Sequence, residues 1–255
     1  MKYLCYNVID KHITWKSGVQ ILSSYKGVDF MLKFTYYGHS CFLLSDGTHK
    51  VLVDPFLTDN PKAPIKADQV DCDFILITHA HSDHLGDAPE IADRTGAELV
   101  STPEVLQVCE TRVPGLKQHP LNLGGSLNLP FGKVRMTLAQ HSAGVAGGIA
   151  CGFVIYMGGK ILYYAGDTAL FSDMRLIGQK DPLDYAVLPI GDNYTMGLED
   201  AAMAAQLLNV PNVIPVHYNT WPIINQDVRH YKEITEAMTR ADVHIFEIGQ
   251  MEMLE

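Results

Sequence analysis

From Met31 onward, apolar and polar positions fall into short regular blocks, and each block reads as one element. Leu32-Lys33-Phe34-Thr35-Tyr36-Tyr37 carries the alternation of a strand and stops at Gly38. Cys41-Phe42-Leu43-Leu44 and Val51-Leu52-Val53 flank Ser45-Asp46-Gly47-Thr48, whose Asp-Gly pair predicts a hairpin. Asp54-Pro55 ends the second of these strands, because proline cannot donate to a ladder. Phe74-Ile75-Leu76-Ile77 is continuously apolar, the pattern of a strand buried on both faces. A helix near 87–95 follows, with Asp87 at its start and Pro89 in its first turn. A short strand at Glu98-Leu99-Val100 and a helix near 103–110 come next. Segments 116–129 and 132–140 read as strands separated by glycine turns. Phe153 to Met157 and Ile161 to Tyr164 form a second hairpin around Gly158-Gly159. The strand Tyr185 to Leu188, the alanine-rich amphipathic helix Glu199 to Leu208, the strand Val213 to Val216 and a helix from Gln226 to Thr239 complete the chain. Strands that pair early and helices that arrive in alternation predict two packed sheets with helices outside, an α+β layer architecture.

Residues 1–30 do not share this regularity. They mix Trp15 and Tyr25 with Lys11, Lys16 and Lys26 and carry no turn logic. Two readings stand: an arm that pairs with a sheet edge or a partner subunit, or an extension upstream of a natural start at Met31, which we favour. Residues 31–255 are then the functional domain.

The polar residues matter most where the apolar run ends at Ile77. Thr78-His79-Ala80-His81-Ser82-Asp83-His84-Leu85-Gly86-Asp87 places three imidazoles and a carboxylate within six residues, on a loop at the carboxyl end of a strand. Imidazole and carboxylate together suit zinc, iron or nickel, and carboxylate also suits manganese. A solvated His-rich loop would account for a lone His-x-His, but not for this density of ligand types behind a buried strand. Other strand ends repeat the logic. His141 follows Val134 to Ala139, Asp167 follows the second hairpin in Ala165-Gly166-Asp167-Thr168, and His217 follows Val213 to Val216. Taken singly, a histidine after a strand is often structural and Gly-Asp is usually a turn. Taken together, seven candidates serve two cations: three histidines for one, Asp-His-His for the other, and a carboxylate between them.

Composition narrows the partners. A net charge of −10 argues against a nucleic-acid groove, which requires a basic surface. It leaves a small anionic substrate open, because bound cations reverse the local field. An apolar content of 47% is enough for a large core. The five cysteines (Cys5, Cys41, Cys72, Cys109 and Cys151) are scattered, with no CxxC, as reduced thiols in a cytoplasmic protein are. Asp10, Lys11 and His12 interrupt the amino terminus before a signal-peptide core develops, and no run approaches the ~20 apolar residues of a membrane span. The expectation is a cytoplasmic protein that acts on a small molecule, without membrane or nucleic-acid partners, with a homo-oligomer left open.

HxHxDH, then His141, Gly166-Asp167 and His217 resemble, in order, the motif set of the metallo-β-lactamase superfamily, over essentially residues 31–255. Within it the chain is most similar to uncharacterised metal-dependent hydrolases related to the ascorbate-phosphate lactonases. The residues that carry this are Tyr37-Gly38-His39-Ser40-Cys41-Phe42, Val53-Asp54-Pro55-Phe56, Pro189-Ile190-Gly191-Asp192-Asn193-Tyr194-Thr195-Met196-Gly197 and His217-Tyr218-Asn219-Thr220. The resemblance implies the αββα four-layer sandwich and a hydrolase. It implies His79, His81 and His141 as ligands of one metal, Asp83, His84 and His217 as ligands of a second, and Asp167 as the bridge. Two divalent ions are expected, zinc first, with Mn2+, Ni2+ or Fe2+ accepted by the same ligands.

Coordination lowers the pKa of water from 15.7 to roughly 7 and so generates a nucleophile at neutral pH, which Asp83 would orient. His39 and Asp54 lie at strand ends that the resemblance places near the metals, in supporting catalytic or plain structural roles. Asp192, Asn193 and Thr195 precede a helix start that favours an anion, and so line a substrate pocket, or Asp192 and Thr195 cap the helix. The favoured reaction is hydrolysis of a small ester, lactone or phosphodiester. The alternatives are a mononuclear iron dioxygenase acting on persulfides, disfavoured by the complete second ligand set, and a metal-dependent nuclease, disfavoured by charge.

Overall fold

A computed structural model describes residues 31–255; the readings made for residues 1–30 lie outside the described residues. In chain order the elements are β1 (Leu32–Gly38), β2 (Cys41–Ser45), β3 (Lys50–Val53), β4 (Phe74–Leu76), α1 (Ser82–Leu85), α2 (Ala88–Thr95), β5 (Glu98–Ser101), α3 (Pro103–Arg112), β6 (Gln118–Pro120), β7 (Ser126–Leu129) and β8 (Gly132–Leu138). They continue with β9 (Cys151–Met157), β10 (Lys160–Tyr164), α4 (Met174–Lys180), β11 (Tyr185–Pro189), α5 (Leu198–Leu208), β12 (Asn212–Val216), α6 (Val228–Met238), β13 (Asp242–Val243) and β14 (Met251–Leu254). The strands form two mixed seven-stranded sheets, ordered β14-β1-β2-β3-β4-β5-β6 and β13-β12-β11-β10-β9-β8-β7.

Strand alternation sorts the core into three layers. On β3, β4 and β5, Val51, Val53, Phe74, Leu76 and Val100 face the opposite sheet. Their neighbours Leu52, Ile75 and Leu99 pack outward with Ile91, Val105 and Leu106 of α2 and α3. On the second sheet, Phe153, Ile155, Tyr164, Val187 and Ile214 face inward. Val154, Tyr163, Ala186 and Val213 pack outward with the alanines of α5, with Ile177 of α4 and with Tyr231 of α6. The order helix, sheet, sheet, helix is the expected αββα sandwich. Strands apolar on both faces are what this architecture requires, since each sheet is covered twice.

Three readings are corrected. Segment 116–129 is not one strand: Pro120 ends β6 in the first sheet, and residues 121–125 turn the chain into β7 of the second. The His-rich stretch is not all loop, because Asp83 and His84 sit in the single turn of α1. The patterning also missed α4 and β14. The latter pairs antiparallel with β1, Leu254 opposite Leu32, and its mixed sequence Met-Glu-Met-Leu hides it. No helix among the described residues is long and apolar enough to cross a membrane.

Candidate metal centre

Every candidate ligand stands just beyond the carboxyl end of a strand or in the turn that follows. His39 follows β1, Asp54 follows β3, and His79 and His81 follow β4, with Asp83 and His84 in α1. His141 follows β8, Asp167 follows β10 and His217 follows β12. Backbone bonds lock these ends together: Asp54 N–H donates to Leu76 O (3.0 Å), Cys151 N–H to Thr78 O (3.1 Å), Ala80 N–H to Ala143 O (2.8 Å) and His217 N–H to His39 O (2.7 Å). Two glycines make the approach close enough. A Cβ on Gly144 would lie 2.7 Å from the His81 backbone nitrogen, and one on Gly166 would lie 2.6 Å from Cys151 O.

Three overlapping groups of ligand atoms result, each with its members within 4.8 Å of one another: His79, His81 and His141; His39, Asp83, His84 and His217; and His79, His84 and Asp167. In the first, His79 Nε2 and His81 Nδ1 are 2.9 Å apart. Asp167 reaches both sides, with Oδ1 3.2 Å from His84 Nε2 and Oδ2 3.1 Å from His217 Nε2 and 3.7 Å from His141 Nε2. Behind the ligands, Asp54 accepts from Thr78 N–H (2.8 Å), Thr78 Oγ1 (2.7 Å), Tyr164 OH (2.7 Å) and His84 Nδ1 (2.7 Å). With its Nδ1–H on Asp54, His84 keeps its Nε2 lone pair for the centre. Because Thr78 Oγ1 donates to Asp54, it accepts from His79 Nδ1 (2.9 Å), which frees His79 Nε2 in the same way.

The comparisons with known proteins show the family. A model of the β-lactamase superfamily domain matches residues 49–218. The chain is 47% identical over 223 residues to a UPF0173 metal-dependent hydrolase of Natranaerobius thermophilus, covering 87% of this chain and 100% of the relative. It is 46% identical over 230 residues to another from Heliobacterium modesticaldum, covering 86% and 96%. The chain belongs to the UPF0173 metal-dependent hydrolases of the β-lactamase superfamily. Its structure is similar to that of Igni18, a novel metallo hydrolase from the hyperthermophilic archaeon Ignicoccus hospitalis, with a TM-score of 0.82 and 36% identity over 88% of this chain and 99% of that one.

The hydrolase fits the cations its family name requires. Asp54, Asp83 and Asp167 form ion pairs only with histidines among the described residues, so no lysine or arginine balances them. Buried carboxylates in that condition call for cations. His84 Nε2, both ring nitrogens of His217 and Asp167 Oδ1 are buried without a hydrogen-bond partner, although His84 Nε2 and Asp167 Oδ1 stand 3.2 Å apart. Ring nitrogens and a carboxylate oxygen that converge without well-formed hydrogen bonds are what a metal ligand set presents.

Electrostatics point the same way. Burial alone would raise the Asp167 carboxyl, but His217 and His84 outweigh it and hold it well below the ordinary carboxylate range. Burial also opposes ionisation of Asp83, and the His39 hydrogen bond with the charge of His84 overcomes it. Burial lowers His39 to about 4. His39 is therefore a neutral imidazole at neutral pH; its Nε2–H donates to Asp83 Oδ2 (3.1 Å), and its Nδ1 accepts from Thr220 Oγ1 (2.8 Å). Both ring nitrogens of His39 are thus committed, which makes it a support for Asp83 rather than a ligand, even though it falls within the second group.

Asp192, Asn193 and Thr195 stand apart from this network. They lie in the turn between β11 and α5, where Thr195 N–H donates to Asp192 O (2.7 Å) and Asp192 N–H to Met196 O (2.9 Å). No hydrogen bond or ion pair joins their side chains to the cluster among the described residues, and the cap of α5 is Gly197, with no side-chain cap bond. Sequence reasoning missed the roles of Thr78, Tyr164 and Thr220. The available signal was position: each is a hydroxyl residue within three places of a ligand at a strand end.

Proposed function

We propose that this hydrolase holds two divalent cations, zinc first, and cleaves a small ester, lactone or phosphodiester. The observation that carries this reading is Asp167, whose two oxygens lie within 3.7 Å of His84, His217 and His141 and so reach both ligand groups. His79, His81 and His141 would hold one cation, Asp83, His84 and His217 the other, with Asp167 between them. Bound there, the cations supply a water-derived nucleophile at neutral pH and polarise the scissile oxygen.

The chain's own residues do the rest. Asp54 fixes the ring orientation of His84 and, through Thr78, that of His79. His39 holds Asp83 Oδ2, the oxygen that also lies 3.8 Å from His217 Nε2 and 3.9 Å from His84 Nε2. Of the three site carboxylates, Asp83 has a side chain 22% exposed, against 0% for Asp54 and 3% for Asp167. Asp83 is therefore the one placed to take a proton from the attacking water and return it to the leaving oxygen.

The test is metal content per chain in protein purified without added metal, paired with chromogenic ester, lactone and phosphodiester assays. About two equivalents of zinc or manganese, with hydrolysis abolished by His79→Ala, are expected. One iron per chain, with oxygen consumed on glutathione persulfide, would replace this reading with the dioxygenase.

A further inference from the structure

The segments that carry the ligands have a charge pattern that bears on the substrate. Residues 55–66, 77–87, 139–150, 165–173 and 217–227 follow β3, β4, β8, β10 and β12. Residues 190–197 follow β11, and a Cβ on Gly191 would lie 2.3 Å from His217 O, so this segment abuts the centre too. Together the six contain no arginine and two lysines, Lys62 and Lys66, in a chain with 19 Lys and Arg. Lys66 lines a separate cavity with Leu57 and Pro64. Lys62 shares a cavity of about 310 Å³ with His39, but Glu247 lines the same cavity. Against these lysines, the same segments carry Asp59, Asp87, Asp173, Asp192 and Asp227 beyond the ligands. Sites that recognise phosphate or carboxylate groups are ordinarily built with arginine forks or lysines. Two divalent cations against Asp54, Asp83 and Asp167 would leave a single positive charge, on segments that carry more aspartates than lysines.

What the rim offers instead is apolar surface. The rings of Phe56 and Trp221 lie 5.6 and 4.9 Å from His39 and 5.9 Å from each other. Ile149, Tyr194 and Ile223 are exposed on three of the six segments, Ile223 at 56%. Large apolar side chains left in water around a polar centre mark a ligand groove.

We propose that the substrate is an uncharged carboxylic ester or lactone with an apolar acyl part, seated on Trp221, which the buried Phe56 ring backs, and on Ile223, and that phosphodiesters and carboxylate-bearing esters are discriminated against. The inference rests on the binuclear hydrolase reading.

The test compares 4-nitrophenyl acetate, butyrate and hexanoate with 4-nitrophenyl hemiglutarate on the zinc-loaded enzyme, one leaving group throughout. Bis(4-nitrophenyl) phosphate is the phosphodiester arm, referred to its own uncatalysed rate. Burial of each methylene predicts a rise in kcat/KM of about fourfold, seen mainly in KM. The hemiglutarate should fall at least about tenfold below the butyrate. Trp221→Ala should flatten the chain-length series. Ile223→Lys, at an exposed position where folding is not at risk, should raise the hemiglutarate relative to the butyrate. Acetate equal to hexanoate, hemiglutarate preferred to butyrate, or a larger acceleration on the phosphodiester would overturn the inference and leave the hydrolase reading intact. No turnover of any substrate by protein holding two cations would overturn both.

Discussion

His79, His81 and His141 offer three imidazoles with no carboxylate of their own; His81 and His141 are partly open to solvent, and the firm tether behind them is Thr78 on His79. Asp83, His84 and His217 are each held from behind, Asp83 by His39, His84 by Asp54, and His217 by its backbone bond to His39 O. The backbone is left-handed at His39 (φ 56), Asp54 (φ 40) and His217 (φ 56), all on this side. Each such residue costs on the order of 1–3 kcal/mol and persists only where its surroundings over-determine it. Strain and buried charge are concentrated on the second group. Its occupancy should therefore depend on supporting residues, whereas that of the first should depend on the ligands alone.

Removing what the two groups share should abolish the contrast. Asp167→Ala is expected to empty both, leaving His84 and His217 without their common acidic partner, and hydrolysis should fall to background. Metal content by mass spectrometry checks it; one full equivalent retained would show that Asp167 serves a single group. Asp54→Asn should separate the groups instead. An amide keeps one acceptor oxygen against four donors and turns an N–H2 on the rest, so His84 loses its fixed tautomer. The second cation should bind about 10–100-fold more weakly while the first, one step further away through Thr78, changes less. A buried mismatch of this kind also costs about 1–3 kcal/mol of stability, or some 2–10 °C in Tm at this size. Equal loss from both groups would refute the asymmetry.

The same contrast explains how much could be read from the chain. That the candidate ligands converge was legible because each follows an apolar strand, and strands such as Phe74 to Leu76 and Val213 to Val216 announce themselves by composition. The four layers were legible for the same reason, since runs apolar on both faces need covering on both. Segment 116–129 was not, because Leu121 and Leu123 look like strand residues while serving a turn between sheets. Nor were Thr78, Tyr164 and Thr220, whose hydroxyls acquire meaning only when β3, β4, β10 and β12 end side by side. Asp192, Asn193 and Thr195 rest on a resemblance and a helix start; α5 begins at Leu198, one residue before the expected Glu199, and its cap is Gly197, so neither Asp192 nor Thr195 caps it.

Acid should distinguish the groups by a smaller margin. In metal-free protein, burial holds His79 and His141 below the ordinary imidazole range, so their lone pairs stay available as pH falls. For His84, burial acts in the same direction, but the charges of Asp167 and Asp54 outweigh it and push the group well above that range. At neutral pH His84 therefore carries a proton that a cation must displace. Affinity at the second group should fall about tenfold per pH unit from above neutrality downward, while the first group holds its cation to lower pH. Chelator competition between about pH 8 and 6 measures this. Parallel loss of both cations would mean that the groups behave as one site.

The finest division uses one hydroxyl from each side. Thr220→Val preserves shape but leaves His39 Nδ1 buried without its 2.8 Å partner, so the neutral ring loses its orientation and Asp83 its hold. Second-group affinity should drop by up to about tenfold, and kcat should fall with it, since the role proposed for Asp83 is on the proton. Thr220→Ser, which keeps the donor, should restore most of it. Ser142 stands 3.4 Å from His81 Nε2 on the exposed side of the first group, a distance at which a hydrogen bond is weak and water can replace it. Ser142→Ala should therefore change first-group affinity by less than about twofold. If the two variants cost the same, the support behind Asp83 matters no more than a surface contact, and the second group is held, like the first, by its ligands alone.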